Sequence, residues 1–179
     1  TLRALDDLVT QVKIRYFGCS NFSAWQVCES VWTSRELGIQ TFISAQPHYS
    51  MLERNVEQEL IPFCGKYGVG ILPYFPLANG FLTGKYRKNS PPPVGSRLEA
   101  DNKGLFTEDN YALLEKLINF SEERGKTVLD LAFAWLLYNG DISSVIAGAT
   151  KPEQVISNAA AADWQLTDKE YEEVTQYLP

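Results

Sequence analysis

The sequence predicts an α/β fold built on a parallel sheet, and three observations carry that expectation. Short β-like runs at about 14–19, 42–46, 69–74 and 143–147 alternate with helical patterns, as in successive βαβ units. Helix starts carry pairs of capping residues, namely Ser23 with Gln26, Thr127 with Asp130, Thr150 with Glu153, and Thr167 with Glu170. Each β-like run also ends in polar or aromatic groups: Ser20-Asn21, Gln46, Tyr74, and Gly148-Ala149-Thr150-Lys151. In parallel α/β proteins ligands bind beyond the carboxyl ends of the strands, where the loops converge on one rim. Four such strands fit an open sheet and half of an eight-fold β/α barrel equally well.

Residues 1–11 have Leu2, Leu5, Leu8 and Val9 at helical spacing and read as an amphipathic helix. The first strand leads to a helix over about 23–37, which Gly38 closes. The second precedes a helical stretch over about 53–67, where Val56, Leu60, Phe63, Cys64 and Tyr67 share a face. Pro62 kinks that stretch or starts its second part. After the third strand comes an excursion over about 75–106, rich in Gly, Pro, Asn and Lys, with Pro91-Pro92-Pro93 its stiffest point. Loops this long in compact domains are functional or disordered. Helices over about 107–124 and 127–138 lead to the fourth strand, and helices over about 151–162 and 168–178 end the chain. Trp25, Trp32, Trp135 and Trp164 lie at helical spacings and are expected in the core or between helices.

At 179 residues the chain suffices for one domain with a sizeable core. A net charge of −6 argues against a nucleic-acid or anionic-membrane partner, although Lys85, Arg87, Lys88 and Lys151 could form a local basic spot. No apolar run approaches the roughly 20 residues that span a bilayer. Thr1 to Asp7 places acids where a signal peptide needs an apolar stretch. Cys19, Cys28 and Cys64 form no Cys-x-x-Cys pair, and a single histidine cannot complete a zinc set. Buried free thiols, no metal site and a cytoplasmic location are therefore expected.

The glycine-bearing loop Gly80-Phe81-Leu82-Thr83-Gly84-Lys85-Tyr86 fails as a P-loop. Its glycines are one residue too close, and Tyr86 stands where magnesium needs a Ser or Thr. It can still lay backbone N–H groups and Lys85 against a phosphate. Gly148-Ala149-Thr150-Lys151 precedes a helix, whose N-terminus attracts anions, and Lys151 adds a full cation. No Gly-x-Gly-x-x-Gly and no Gly-x-Ser-x-Gly occurs, which argues against a Rossmann fold and a serine-hydrolase elbow. His48, in a βα loop, reads as solvent-facing or packing.

Four blocks, Gly18 to Phe22, Gln46 to Ser50, Pro73 to Tyr86 and Ile146 to Val155, together resemble the aldo-keto reductase superfamily, in the branch that includes potassium-channel beta subunits. The resemblance covers nearly the whole chain. It implies a (β/α)8 barrel of which this chain carries strands five to eight and a C-terminal helix. It also implies reduction of aldehydes and ketones with NADPH. Ser20, Asn21 and Gln46 would then meet the nicotinamide carboxamide, and Tyr74 would stack on its ring. Leu77, Gly80, Gly84 and Lys85 would line the pyrophosphate, with Arg97 over the cofactor. Gly148, Thr150 and Lys151 would hold the 2′-phosphate, and Gln154 and Asn158 would lie near the adenine. Lys151 is the reason to prefer NADPH over NADH. Phe75 departs from a usual serine and Ser157 from a frequent acid. The family's catalytic Asp, Tyr, Lys and His lie on its first four strands, so no catalytic residue is expected in this chain and it is expected to be inactive alone. Half a barrel also leaves sheet edges open, which favours homo-oligomers.

Overall fold

The computed structural model describes residues 1–179. The chain opens with helix α1 (Leu2–Thr10), which lays Leu2 and Leu5 against the core, and enters β1 (Cys19–Ser20). Helix α2 (Ala24–Leu37) follows, with Gln26 Oε1 accepting from the Ser23 N–H at 2.9 Å. Next come β2 (Ser44–Gln46), a 3₁₀ turn (Asn55–Glu57), α3 (Leu60–Tyr67) and β3 (Gly70–Ile71). Pro62 lies in the first turn of α3, where its missing N–H has no intrahelical partner to lose. It starts the second part of that stretch, as the sequence suggested.

β1, β2 and β3 pair in parallel in that order, with Cys19 beside Ala45 and Ala45 beside Ile71. These three residues are buried against the helices. The ladder continues past the strand ends, since Leu72 N–H donates to Ala45 C=O at 2.9 Å and Tyr74 N–H to Pro47 C=O at 3.0 Å. The expected strands are longer than those observed. Below Cys19 the first run touches its neighbour through one bond, Ile43 N–H to Phe17 C=O at 3.0 Å.

The expected fourth strand, 143–147, is reduced to isolated parallel bridges of Ile142 to Ile71 and Ile146 to Tyr74. The reason lies on both sides of the pair. Between the bridges β3 advances from 71 to 74 while the other segment advances from 142 to 146, one residue more, so the segment bulges. Pro73, in the same interval, has no N–H to donate.

On the opposite face of the sheet, Gly18, Ser44, Gly70 and Ser143 form one layer. A methyl group on Gly18 would collide with Ser44 Oγ and the Ser44 carbonyl, and one on Gly70 with Ser143 Oγ. Side chains thus come from alternate strands, as in the interior layers of a (β/α)8 barrel.

The helix layer centres on α5 (Val128–Tyr138), whose residues 131–136 are apolar and buried on every side. It packs against α4 (Glu108–Glu122) and against the 3₁₀ turn Ala161–Asp163 that follows α6 (Pro152–Ala160). Such all-round hydrophobicity marks a helix enclosed by neighbours. α7 (Asp168–Thr175) closes the chain; its Glu170 accepts from Arg124 Nε at 2.9 Å, joining it to the end of α4. Trp135 is buried, and Trp164 stacks on Phe120, as expected. Trp25 lies outside the core, 63% exposed on α2, whereas Trp32, 51% exposed, meets Tyr67 of α3 edge-on at 6.3 Å and so lies between helices as expected. Cys19 and Cys64 are buried free thiols, while Cys28 is only half-buried.

Candidate functional site

The carboxyl ends of β1, β2 and β3 assemble four of the expected residues through direct bonds. Ser20 Oγ donates to the Gln46 carbonyl at 3.0 Å, and the Asn21 N–H donates to the same oxygen at 3.2 Å. Both lone pairs of that oxygen are thereby used, which fixes the exit of β1 to β2. Asn21 Nδ2 donates to Ser20 Oγ at 3.1 Å, and Tyr74 Oη donates to Asn21 Oδ1 at 2.7 Å. Asn21 holds a left-handed backbone (φ 59°), which asparagine tolerates better than most residues.

An aromatic cluster sits beside this network. His48 and Tyr74 stack with ring centroids 5.3 Å apart and planes 13° from parallel. Phe75 meets both edge-on, at 5.6 Å from His48 and 5.1 Å from Tyr74. The Arg97 guanidinium lies over the Phe75 ring at 4.7 Å, bringing the long excursion back to the rim. His48 is therefore a packing residue of the site.

The bend after Tyr74 is conformationally unusual. Phe75, Ala78, Asn79 and Gly80 all have positive φ, at 55°, 45°, 58° and 92°. For residues with a side chain this costs on the order of 1 kcal/mol or more each. The surrounding aromatics hold it: Phe81, Tyr86, Phe106 and Tyr111 pack together, and Tyr86 Oη accepts from the Leu98 N–H at 3.2 Å. Leu77 caps the 3₁₀ turn Ala78–Thr83. Lys85 Nζ comes within 3.6 Å of a β-carbon built on Gly80, so the cation lies over the glycine backbone. A β-carbon built on Gly84 would stand 3.0 Å from Val128 Cγ1, and the residue closes the turn with a left-handed backbone (φ 77°), so packing and conformation both favour glycine there.

The remaining residues follow the fourth extended segment. The Tyr74–Ile146 bridge and the bond from Ile146 N–H to Pro73 C=O (2.9 Å) bring this segment to the same end of the sheet. Gly148 has open space where a side chain would stand. The expected cap of α6 is displaced by one residue: Lys151 is the N-cap and Pro152 the first helical residue. Thr150 lies before the cap, and its N–H and hydroxyl donate to Gln154 Oε1, at 2.7 and 3.2 Å, rather than to Glu153. The Lys151 side chain is exposed. Asn158 lines a cleft of about 370 Å³ with Phe133, Val145, Ala147 and Val155.

A second polar cluster went unread in the sequence. Glu57 accepts from Tyr49 Oη at 2.8 Å and from Arg54 Nε and Nη2 at 2.9 and 2.8 Å, while Arg54 Nη1 reaches the Pro179 carbonyl at 3.2 Å. Burial, and then the bond to Glu57, push the Tyr49 hydroxyl well above its ordinary range. Burial likewise pushes the Cys64 thiol up to about 12. These groups staple the C-terminus to the loop after β2. The open cleft of about 520 Å³ that Glu57 and Arg54 line with Leu52, Glu53, Asn55, Gln58 and Pro179 contains none of the expected site residues.

The family model that matches this chain, the aldo/keto reductase family, aligns with residues 1–179. The chain belongs to the aldo/keto reductase family. It is 36% identical to a probable voltage-gated potassium channel subunit beta of Oryza sativa subsp. japonica, over 91% of this chain and 51% of that protein. A putative aryl-alcohol dehydrogenase of Schizosaccharomyces pombe is 33% identical, over 94% of this chain and 48% of its own length. An NADH-specific methylglyoxal reductase of Escherichia coli is 34% identical, over 94% of this chain and 50% of its own. This aldo/keto reductase chain thus spans about half the length of these relatives, which include oxidoreductases. No helix in it is long and apolar enough to cross a membrane.

Proposed function

We propose that this chain is the cofactor-binding half of an NADPH-dependent carbonyl reductase. The observation that carries the reading is the bonded set Ser20–Asn21–Gln46–Tyr74 at the carboxyl rim of a parallel sheet. It fits a nicotinamide, offering amide and hydroxyl groups for a carboxamide beside a tyrosine ring for a planar heterocycle. When bound, that cofactor supplies the hydride. Ser20, Asn21 and Gln46 orient its carboxamide, and Tyr74 supports its ring. Leu77, Gly80, Gly84 and Lys85 form the bend for its pyrophosphate, with Arg97 above. Gly148, Thr150 and Lys151 face the 2′-phosphate, and Gln154 and Asn158 the adenine.

The exposed Lys151 at the N-terminus of α6 supports NADPH over NADH, since a cation there complements the extra phosphate. The NADH-specific name of one relative makes this choice a point to measure. The alternating layer Gly18–Ser44–Gly70–Ser143 supports four βα units of a (β/α)8 barrel. The chain is expected to lack the proton donor that carbonyl reduction needs. NADPH fluorescence titration should then show binding, and aldehyde-dependent NADPH oxidation should show no turnover. Turnover by this chain alone, or no binding, overturns the reading.

A second reading, an inactive fragment that binds cofactor or self-associates, draws on the open sheet. β1 ends the sheet on one side, and Trp25, Ile146, Val155 and Ile156 are exposed. A second copy would set Gly18 beside Ser143 and continue the layer alternation around the barrel. Sedimentation of the isolated chain tests this: a concentration-independent monomer rejects self-association.

A further inference from the structure

We infer that His48 is a positioning residue, whose imidazole fixes the plane of the Tyr74 ring at the rim. The inference rests on the reading of Tyr74 as a platform for a nicotinamide. Residues 48 and 74 are partners in a parallel bridge, so their side chains leave neighbouring strands about 5 Å apart. The 5.3 Å between the two rings, nearly parallel at 13°, fills that interval. One face of Tyr74 is thereby occupied, and the ring cannot tip toward β2. Phe75 closes off a second direction edge-on, at 5.1 Å. Asn21 holds the hydroxyl tip at 2.7 Å.

Of these three contacts, His48 alone is stacked parallel to the ring; Phe75 stands perpendicular to it, and Asn21 holds only the hydroxyl, a bond that survives rotation of the ring about its own long axis. A platform that is already flat and still loses less freedom when a planar ligand settles on it. The requirement is for a ring at 48, not for a charge, so phenylalanine should serve where a non-aromatic amide should not.

The experiment titrates the full chain and its H48Q and H48F variants with NADPH and with 2′,5′-ADP, which lacks the nicotinamide. H48Q should bind NADPH roughly three- to tenfold more weakly, with reduced enhancement of nicotinamide fluorescence and unchanged affinity for 2′,5′-ADP. H48F should restore NADPH binding to within about twofold of the parent. H48N replaces H48Q should the latter give no cooperative melt. Equal NADPH affinity in H48Q and the parent overturns the inference. So does a parallel loss for both ligands, which would mark a merely structural residue. Failure of the parent chain to bind either ligand rejects the cofactor reading itself and is distinguishable from both.

Discussion

Tyr74 reaches across the full width of β2 to donate its hydroxyl to Asn21 Oδ1 at 2.7 Å, joining the exits of β3 and β1. That bond makes the rim one unit rather than three loop ends. Its net contribution is modest because both partners are close to solvent, about 0.5–1.5 kcal/mol for a typical intramolecular hydrogen bond. Tyr74→Phe should therefore lower the melting temperature by only a few degrees. Tyr74→Ala, which also removes the ring, should weaken NADPH binding by roughly tenfold. Calorimetric melts and fluorescence titrations separate the two effects; equal NADPH affinities for Phe and Ala variants would rule out a platform role for the ring.

Lys151 carries the choice between phosphorylated and unphosphorylated cofactor. A charge-assisted bond to a phosphate is worth about 1.5–3 kcal/mol. Lys151→Met should thus reduce NADPH affinity by roughly tenfold or more while leaving NADH affinity unchanged. The NADPH advantage should also shrink as salt is raised. An equal loss for both cofactors would place the 2′-phosphate elsewhere.

Gly18 is required by the sheet interior rather than by backbone conformation. Gly18→Ala drives a methyl group into the Ser44 hydroxyl and carbonyl, and overpacking of this kind costs about 1–3 kcal/mol. Adding Ser44→Gly removes the hydroxyl and leaves the carbonyl in place. The double variant should accordingly recover part of the loss in urea denaturation, and full additivity of the two changes would count against the layer.

The Tyr49–Glu57–Arg54 cluster gives the fold an alkaline weakness. Tyr49 is pushed above its ordinary value of 10.0 by burial and by the Glu57 carboxylate, so its neutral form is favoured in the folded state. A group raised on folding contributes fully below its unfolded value and loses that contribution as pH climbs toward the folded one. Cys64, raised from 9.0 to about 12, acts in the same direction. Stability should begin to fall above about pH 9, and Tyr49→Phe should flatten the part of that fall above about pH 10. Denaturant midpoints between pH 7 and 11 provide the check.

What could be seen beforehand was whatever depends on a few adjacent residues. Ser23 with Gln26, Thr127 with Asp130 and Thr167 with Glu170 cap their helices as expected, because a cap needs only a side chain and its own next turn. The Thr150 cap slipped because Pro152 takes the first helical position, which makes Lys151 the N-cap and brings Gln154 into reach instead of Glu153. The strands end sooner than their sequence pattern predicts for a different reason. Pro73 and the extra residue between 142 and 146 interrupt a ladder whose partners are some 70 residues apart in sequence, and no local pattern reports that. Gln46 and Tyr74 stand at the carboxyl ends of adjacent strands, and Tyr74 bonds Asn21 directly. The stacking partner His48 was visible only as an isolated imidazole until β2 and β3 were aligned.

The unequal surroundings of the four indoles give the molecule an intrinsic optical gauge. Trp135 is shielded, with its Nε1 donating to Thr175 Oγ1 at 2.9 Å, whereas Trp25 and Trp32 are each more than half exposed along one side of α2. Iodide should accordingly extinguish a red-shifted share of the emission and spare a blue share. Any body that comes to rest against that side of α2 would announce itself as lost quenching, with no label attached.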